Sequence, residues 1–194
     1  MKFFDRWKAI ITDPMNNFTK LPKKNVIKES CIYFLKIQAI AMALMYVFML
    51  LLLPLRLLPM VIGEQFLSVI AGIGMILLIP LALIFYVIIL LFSLGMLFVS
   101  AGLIQIFIKM FGGKKGYATT FQALAYASSP YVLMFIPMVN WLATLYGLVL
   151  QVIGIHKLQK ISVGKSILAF ILPGVIIAIL LFILVGVGIL MVVF

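Results

Sequence analysis

The sequence predicts an all-α, polytopic membrane protein with five transmembrane helices, and three observations support this fold class. Hydrophobic residues make up 66% of the 194 residues and charged residues only 10%, whereas soluble domains are about 45–50% apolar and about 25% charged. The apolar stretches are long enough for helices that cross a hydrocarbon core of roughly 30 Å. They also lack the period-2 alternation that is typical of a membrane β-barrel.

Residues 1–30 form a predicted cytoplasmic segment that begins as an amphipathic helix and continues as a basic linker. The apolar side chains that share one helical face of residues 2–12 are Phe3, Trp7, Ile10 and Ile11. This pattern favours an amino-terminal interfacial helix, but a short helix packed against the protein's own spans has the same pattern. The sequence leaves both alternatives open. Pro14 is predicted to end the helix.

Residues 31–194 form the predicted bundle of transmembrane helices. The five spans are predicted at 32–53, 77–110, 119–136, 139–156 and 166–192, and Gly112 and Gly113 are predicted to end the second of these helices. The charge-free stretch 65–108 is long enough for two spans, since 44 helical residues reach about 66 Å. A second span there would place the lysines at 109–115 opposite the basic amino terminus, against the positive-inside rule. We therefore expect residues 60–76 to form a short interfacial or re-entrant element after the first span.

Lysine-rich loops give the predicted topology. With five spans, the segments 1–30, 109–117 and 157–165 all lie on one side of the membrane. The positive-inside rule makes this side cytoplasmic. The chain is then an integral membrane protein whose amino terminus is in the cytoplasm and whose carboxy terminus is outside.

Catalytic chemistry has no support in the sequence. The predicted spans contain no Asp or Glu, the single histidine is His156, and the serines lack a Gly-x-Ser-x-Gly setting. The one cysteine rules out a metal site built on cysteines. We predict no enzyme activity, no catalytic, cofactor-binding or metal-binding residues, and no nucleic-acid partner.

The formal net charge of +11 favours anionic lipids as partners, because the basic residues lie in short segments beside apolar runs. The candidate contacts to lipid headgroups are Lys20, Lys23, Lys24, Lys114, Lys115, Lys157 and Lys160.

A series of motifs between residues 112 and 173 resembles the Yip domain family, the Ypt/Rab-interacting-protein superfamily, in its prokaryotic form. They begin with Gly112-Gly113-Lys114 before Tyr117 and continue with Tyr126-Ala127-Ser128-Ser129-Pro130. The candidate motif, packing or groove residues are Gly112, Gly113, Tyr117, Tyr126, Pro130, Pro137, Asn140, Trp141 and His156. The resemblance implies five spans, a cytoplasmic amino terminus, a prokaryotic cytoplasmic membrane and no catalytic residues.

Two functions follow as expectations. The first is a non-enzymatic scaffold that organises membrane or binds partners, either as a homo-oligomer or with other membrane proteins. The alternative is a conduit for lipid or a small apolar solute, lined by Tyr126, Pro130, Pro137 and Asn140. Binding of a small GTPase rests on family analogy alone, because eukaryotic relatives usually have a longer cytosolic tail than the roughly 30 residues found here.

Overall fold

A computed structural model describes residues 2–63 and 65–193, with side chains over 2–52 and 81–185. Over these residues the chain is all-α, as predicted. The helices are α1 (Phe3–Thr12), α2 (Pro14–Asn17), α3 (Val26–Gly63), α4 (Gln65–Met110), α5 (Tyr117–Ala127), α6 (Pro137–Gln159) and α7 (Val163–Val193). Two 3₁₀ segments, Phe18–Lys20 and Ser129–Phe135, join α2 to the linker and α5 to α6.

Among the described residues, four helical segments are long and apolar enough to cross a membrane. They are Val26–Leu52, Leu81–Met110, Pro137–Gln159 and Val163–Val185. The predicted spans at 139–156 and 166–192 lie within α6 and α7. Where an interfacial or re-entrant element was predicted at 60–76, residues 60–63 continue α3 and residues 65–76 begin α4, and their side chains lie outside the described part of the chain. That element and the count of five spans stay predictions.

The third predicted span, 119–136, is not a single α-helix. α5 ends at Ala127, because Pro130 has no N–H to donate to the carbonyl of Tyr126. The Ser129 hydroxyl donates to that carbonyl instead, at 2.6 Å. The chain continues as a 3₁₀ segment, in which the Tyr131 N–H donates to the Ser128 carbonyl at 2.9 Å.

Ring and cluster contacts show that α3 and α4 run antiparallel. Phe34 of α3 and Ile104 of α4 belong to one buried cluster, while Tyr46 and Tyr86 lie 6.0 Å apart further along the pair. The Cα-to-Cβ direction of Gly154 in α6 faces Ala123 of α5. These pairings bring the loop 110–117, the loop 159–163 and the start of α3 to one end of the bundle, called the lysine end below.

The amino-terminal segment folds onto the bundle. Ile10 and Phe18 are fully buried in a cluster with Tyr126 and Leu150. Phe4, which lies at the border of the predicted apolar face, is 68% exposed. The apolar face of α1 therefore packs against the protein's own helices, the second alternative that the sequence left open. A position of α1 in a membrane interface stays a prediction.

Candidate functional site

A pocket of about 440 Å³ at the lysine end is lined by four lysines from three separate segments of the chain. They are Lys23, Lys115, Lys157 and Lys160. None of the described residues that line it is acidic, and the polar groups beside the lysines are those of Thr19, Thr119 and Gln122. An anion in the pocket would be attracted by all four positive charges, so the pocket favours an anion.

Glycine geometry positions Lys115. α4 ends at Met110, and Gly112 adopts φ +89°. The Gly112 N–H donates to the Lys109 carbonyl at 3.1 Å and the Gly113 N–H to the Ile108 carbonyl at 2.8 Å. This is the Schellman arrangement, which needs a residue that tolerates positive φ. The predicted role of Gly112 and Gly113 as the stop of this helix is confirmed.

The end of α6 positions Lys157 and Lys160. Lys160 adopts the left-handed conformation after the last helical turn. His156 Nδ1 lies 2.6 Å from the carbonyl oxygen of Ile161, and since a carbonyl only accepts, the imidazole is the donor. His156 thus ties the residue after the turn to the last turn of α6, as a helix-capping group does.

The linker that carries Lys23 is fixed by contacts with α5 and α6. The Gln122 amide donates to the Pro22 carbonyl at 2.8 Å. Phe18 packs so closely that a Cβ added to Gly154 would lie 2.9 Å from its ring. The pocket therefore exists only when the amino-terminal segment is docked.

The structure brings together four of the seven candidate headgroup lysines. Lys20, Lys24 and Lys114 do not line the pocket and are exposed. They remain on the same end of the molecule, since Lys20 and Lys24 flank Lys23 in the linker and Lys114 precedes Lys115.

A buried polar network lies among α4, α5 and α6 near this end, which the sequence did not reveal as a unit. Thr120 donates to the Gln105 side-chain carbonyl, and the Gln159 amide donates to Thr120 Oγ1 at 2.7 Å. The Gln105 amide donates to the Lys115 carbonyl at 3.0 Å. The network therefore couples three helices to the loop that carries Lys115.

Tyr126 lies at the centre of the docked amino terminus. Its ring stacks on Tyr33 at 4.2 Å, and its hydroxyl accepts a hydrogen bond from Arg6 Nη1 at 3.1 Å. Trp7 Nε1 donates to the Ser129 carbonyl at 2.8 Å. The sequence offered no signal for these pairings, and the two hydrogen bonds join residues 120 and 122 positions apart.

A second cavity, of about 600 Å³, lies among α3, α4, α5, α6 and α7. Its polar lining residues are Gln38, Ser93, Ser100, Ser128, Tyr131 and Gln151, and the described part of the lining contains no charged residue. None of the four predicted groove residues is part of it. Tyr126 and Pro130 are buried elsewhere, whereas Pro137, Asn140 and Trp141 line a separate depression at the opposite end of α6 from the lysines.

The remaining motif residue, Tyr117, begins α5, and its hydroxyl donates to the Phe98 carbonyl at 2.9 Å. This bond ties the start of α5 to the middle of α4.

Comparison with known proteins assigns the chain to a family. The Yip1 domain matches over residues 8–185, which includes the docked helix α1 from Lys8 onward, both sides of the lysine pocket and the cavity. No curated protein matches the chain, and no solved structure does. Because the match covers nearly the whole length, this membrane protein belongs to the Yip1 domain family.

Proposed function

We propose that the protein is a non-enzymatic scaffold of the membrane, whose lysine end binds anionic lipid and thereby organises the surrounding bilayer or presents a surface to partner proteins. The observation that carries this proposal is the lysine pocket, whose lining among the described residues includes four cations and no acidic side chain. The seven lysines predicted from the sequence to contact headgroups all lie at this end. The positive-inside rule makes it the cytoplasmic end.

The size of the expected effect follows from the charges. Each lysine near an anionic surface contributes about 1 kcal/mol, so four lysines together favour anionic over neutral lipid by up to about a thousandfold. Salt weakens this attraction, because the Debye length falls to about 3 Å at 1 M. Lys157 is half-buried and is therefore screened less than the exposed lysines around it.

The test uses full-length protein in nanodiscs that contain anionic and neutral phospholipid, with bound lipid counted by native mass spectrometry. The pocket variant changes Lys23, Lys115, Lys157 and Lys160 to Gln. A control variant with the same change in net charge alters Lys20, Lys24, Lys114 and Lys165 to Gln.

We expect the pocket variant to lose at least tenfold in its preference for anionic lipid and the control variant to lose much less. Equal losses would assign the preference to the whole basic surface and would reject the pocket as a site. No preference in the wild type would reject the lipid-binding scaffold.

The small-GTPase function of eukaryotic relatives remains an analogy. The residues before α3 are folded against α5 and α6, with Ile10 and Phe18 fully buried, so they do not form a free tail in this state. A direct binding assay with a purified small GTPase would decide the matter.

The alternative function, a lipid or apolar-solute conduit, has the 600 Å³ cavity in its favour. At the lysine end this cavity stops at Phe34, Ile104 and Leu124, each at most 5% exposed. Passage would require this packed cluster to separate, so we prefer the scaffold. Lipid scrambling by the protein in liposomes, at a rate above that of protein-free liposomes, would reverse the preference.

A further inference from the structure

The cavity among α3, α4, α5, α6 and α7 has the form of a blind pocket that opens towards lipid. Its closed end is the packed cluster of Phe34, Ile104 and Leu124. Its other end reaches Phe92 of α4 and Ile177 of α7, which are 68% and 44% exposed. On α4, Phe92 and Ile104 are separated by about 18 Å along the helix axis, which is close to the thickness of one leaflet, half of a roughly 30 Å core.

The wall is suited to a hydrocarbon chain with an uncharged polar group. Apolar side chains predominate along α4 and α7, and none of the lining residues that the structure describes is Lys, Arg, His, Asp or Glu. A charged headgroup would therefore have no partner there, and burying it would be costly.

The wall formed by α3, the 3₁₀ segment and α6 carries three uncharged side chains that can form hydrogen bonds, those of Gln38, Tyr131 and Gln151. The Gln151 amide lies 3.4 Å from the Tyr131 hydroxyl, a long contact. Within the described residues, the side-chain hydrogen bonds of α3 come from Ser30 and Tyr33 and not from Gln38. An amide that lines a cavity at membrane depth, with no hydrogen-bond partner among the residues that the structure describes, favours a ligand that can donate and accept.

We propose that this cavity binds one molecule of an uncharged amphiphile, a single long hydrocarbon chain that ends in a hydroxyl, ester or amide group, with that group at Gln38, Tyr131 and Gln151. The site is separate from the lysine pocket and needs no transport of the ligand. It would hold even if the conduit function were rejected, because scrambling and occupancy are measured independently.

The experiment is photolabelling of full-length protein in nanodiscs with a diazirine-bearing long-chain alcohol, followed by peptide mapping. Fatty-acid carboxylate and alkane probes of the same chain length provide the comparison. We expect the alcohol to label residues 92–104 and 170–177, and an excess of unlabelled alcohol to suppress this labelling at least tenfold. The carboxylate and the alkane should label these residues at least fivefold less.

Two substitutions fill the cavity from opposite walls. On α7, Gly174 shares a helical face with Phe170, Pro173 and Ile177, and a Cβ added to it meets nothing within 4 Å. Gly174→Phe and Ser100→Phe should each reduce the alcohol labelling at least tenfold. Gly95→Phe is the matched control, because Gly95 is exposed, has the same open space and does not line the cavity.

A third substitution keeps the fold while removing the polar group: Gln38→Leu should erase the preference for the alcohol over the alkane. The proposal is overturned if labelling spreads evenly over lipid-facing residues, or if it resists competition. It is also overturned if Gly95→Phe reduces labelling as much as the two cavity-filling variants do.

Discussion

The close contact between Gly154 and the docked amino-terminal segment predicts that a side chain at this position weakens the docking. A Cβ at this position would lie 2.9 Å from Phe18 Cε1 and 3.2 Å from the Ala123 Cβ. Phe18 and Ala123 are both fully buried, so neither has open space into which it can retreat. Overpacking of this kind costs about 1–3 kcal/mol. Gly154→Ala should therefore raise the undocked population of the segment about 5- to 150-fold.

Tryptic cleavage after Lys8 measures this population, because a peptide bond inside helix α1 is cut only when the helix opens, and the rate follows the open fraction when reclosing is fast. The substrate is the full-length protein in nanodiscs, and the released fragment is quantified by mass spectrometry. Gly95→Ala is the control for the helix propensity of alanine, because a Cβ there meets nothing within 4 Å. Its cleavage rate should match that of the wild type.

Replacing Phe18 with leucine in the Gly154→Ala background tests the cause. If the clash with the ring is responsible, the double variant should cost less than the sum of the two single variants, by about 1 kcal/mol. If Gly154→Ala is cleaved at the same rate as both the wild type and Gly95→Ala, then the contact of Gly154 with Phe18 does not hold the amino-terminal segment in place.

Three further predictions concern the helix ends, the buried network and the topology. Gly112→Ala should lower the free energy of unfolding by about 1–2 kcal/mol, measured by denaturation in micelles, because Gly112 has φ +89°. Thr120→Val should cost about 1–3 kcal/mol, because it removes the buried hydroxyl that donates to the Gln105 side-chain carbonyl and accepts from the Gln159 amide. Gln159→Leu should cost less, because the lost amide bond is offset by removal of a buried side-chain oxygen that has no partner among the described residues. In a cysteine-free background, Lys115→Cys should react with an impermeant maleimide only from the cytoplasm. Met138→Cys, at a position that is 85% exposed, should react only from outside. Labelling of both cysteines from one side would contradict the topology.

The sequence predicted those parts of the fold that depend on local chemistry. Apolar runs placed spans inside α6 and α7, and the pair Gly112-Gly113 placed the end of α4. The predicted spans were shorter than the helices where polar residues flank them. The first span was expected from residue 32, but α3 begins at Val26, because polar residues continue a helix beyond the hydrocarbon core. Hydropathy marks the lipid-facing part of a helix and not its hydrogen-bonded length.

The parts that the sequence could not predict depend on contacts between distant residues. The sequence showed a proline at position 130, but the continuation of the chain as a 3₁₀ segment depends on the surrounding helices, which bury Ser129 completely. The face of α1 was predicted from its period, yet its partners Tyr126 and Ser129 lie in a different third of the chain. Likewise, the lysine count was evident, but only the fold selects which four lysines converge.

The contacts of the broken segment support counting it as a crossing. Tyr126 stacks on Tyr33 at 4.2 Å and Phe135 lies 6.3 Å from Phe48. The two α3 residues are about 22 Å apart along that helix. α5 and its 3₁₀ continuation thus run beside α3 in the same direction, over more than two thirds of a roughly 30 Å core.

Backbone that is not α-helical is tolerated at such depth only where protein surrounds it. This condition is met where α5 ends, because residues 120–130 are all buried. Serine hydroxyls there donate hydrogen bonds to the carbonyls of Ala125 and Tyr126. α6 then returns from Pro137 to the lysine end. The count of five crossings stays a prediction, and it is the count that places every lysine-rich loop on the face that we propose binds anionic lipid.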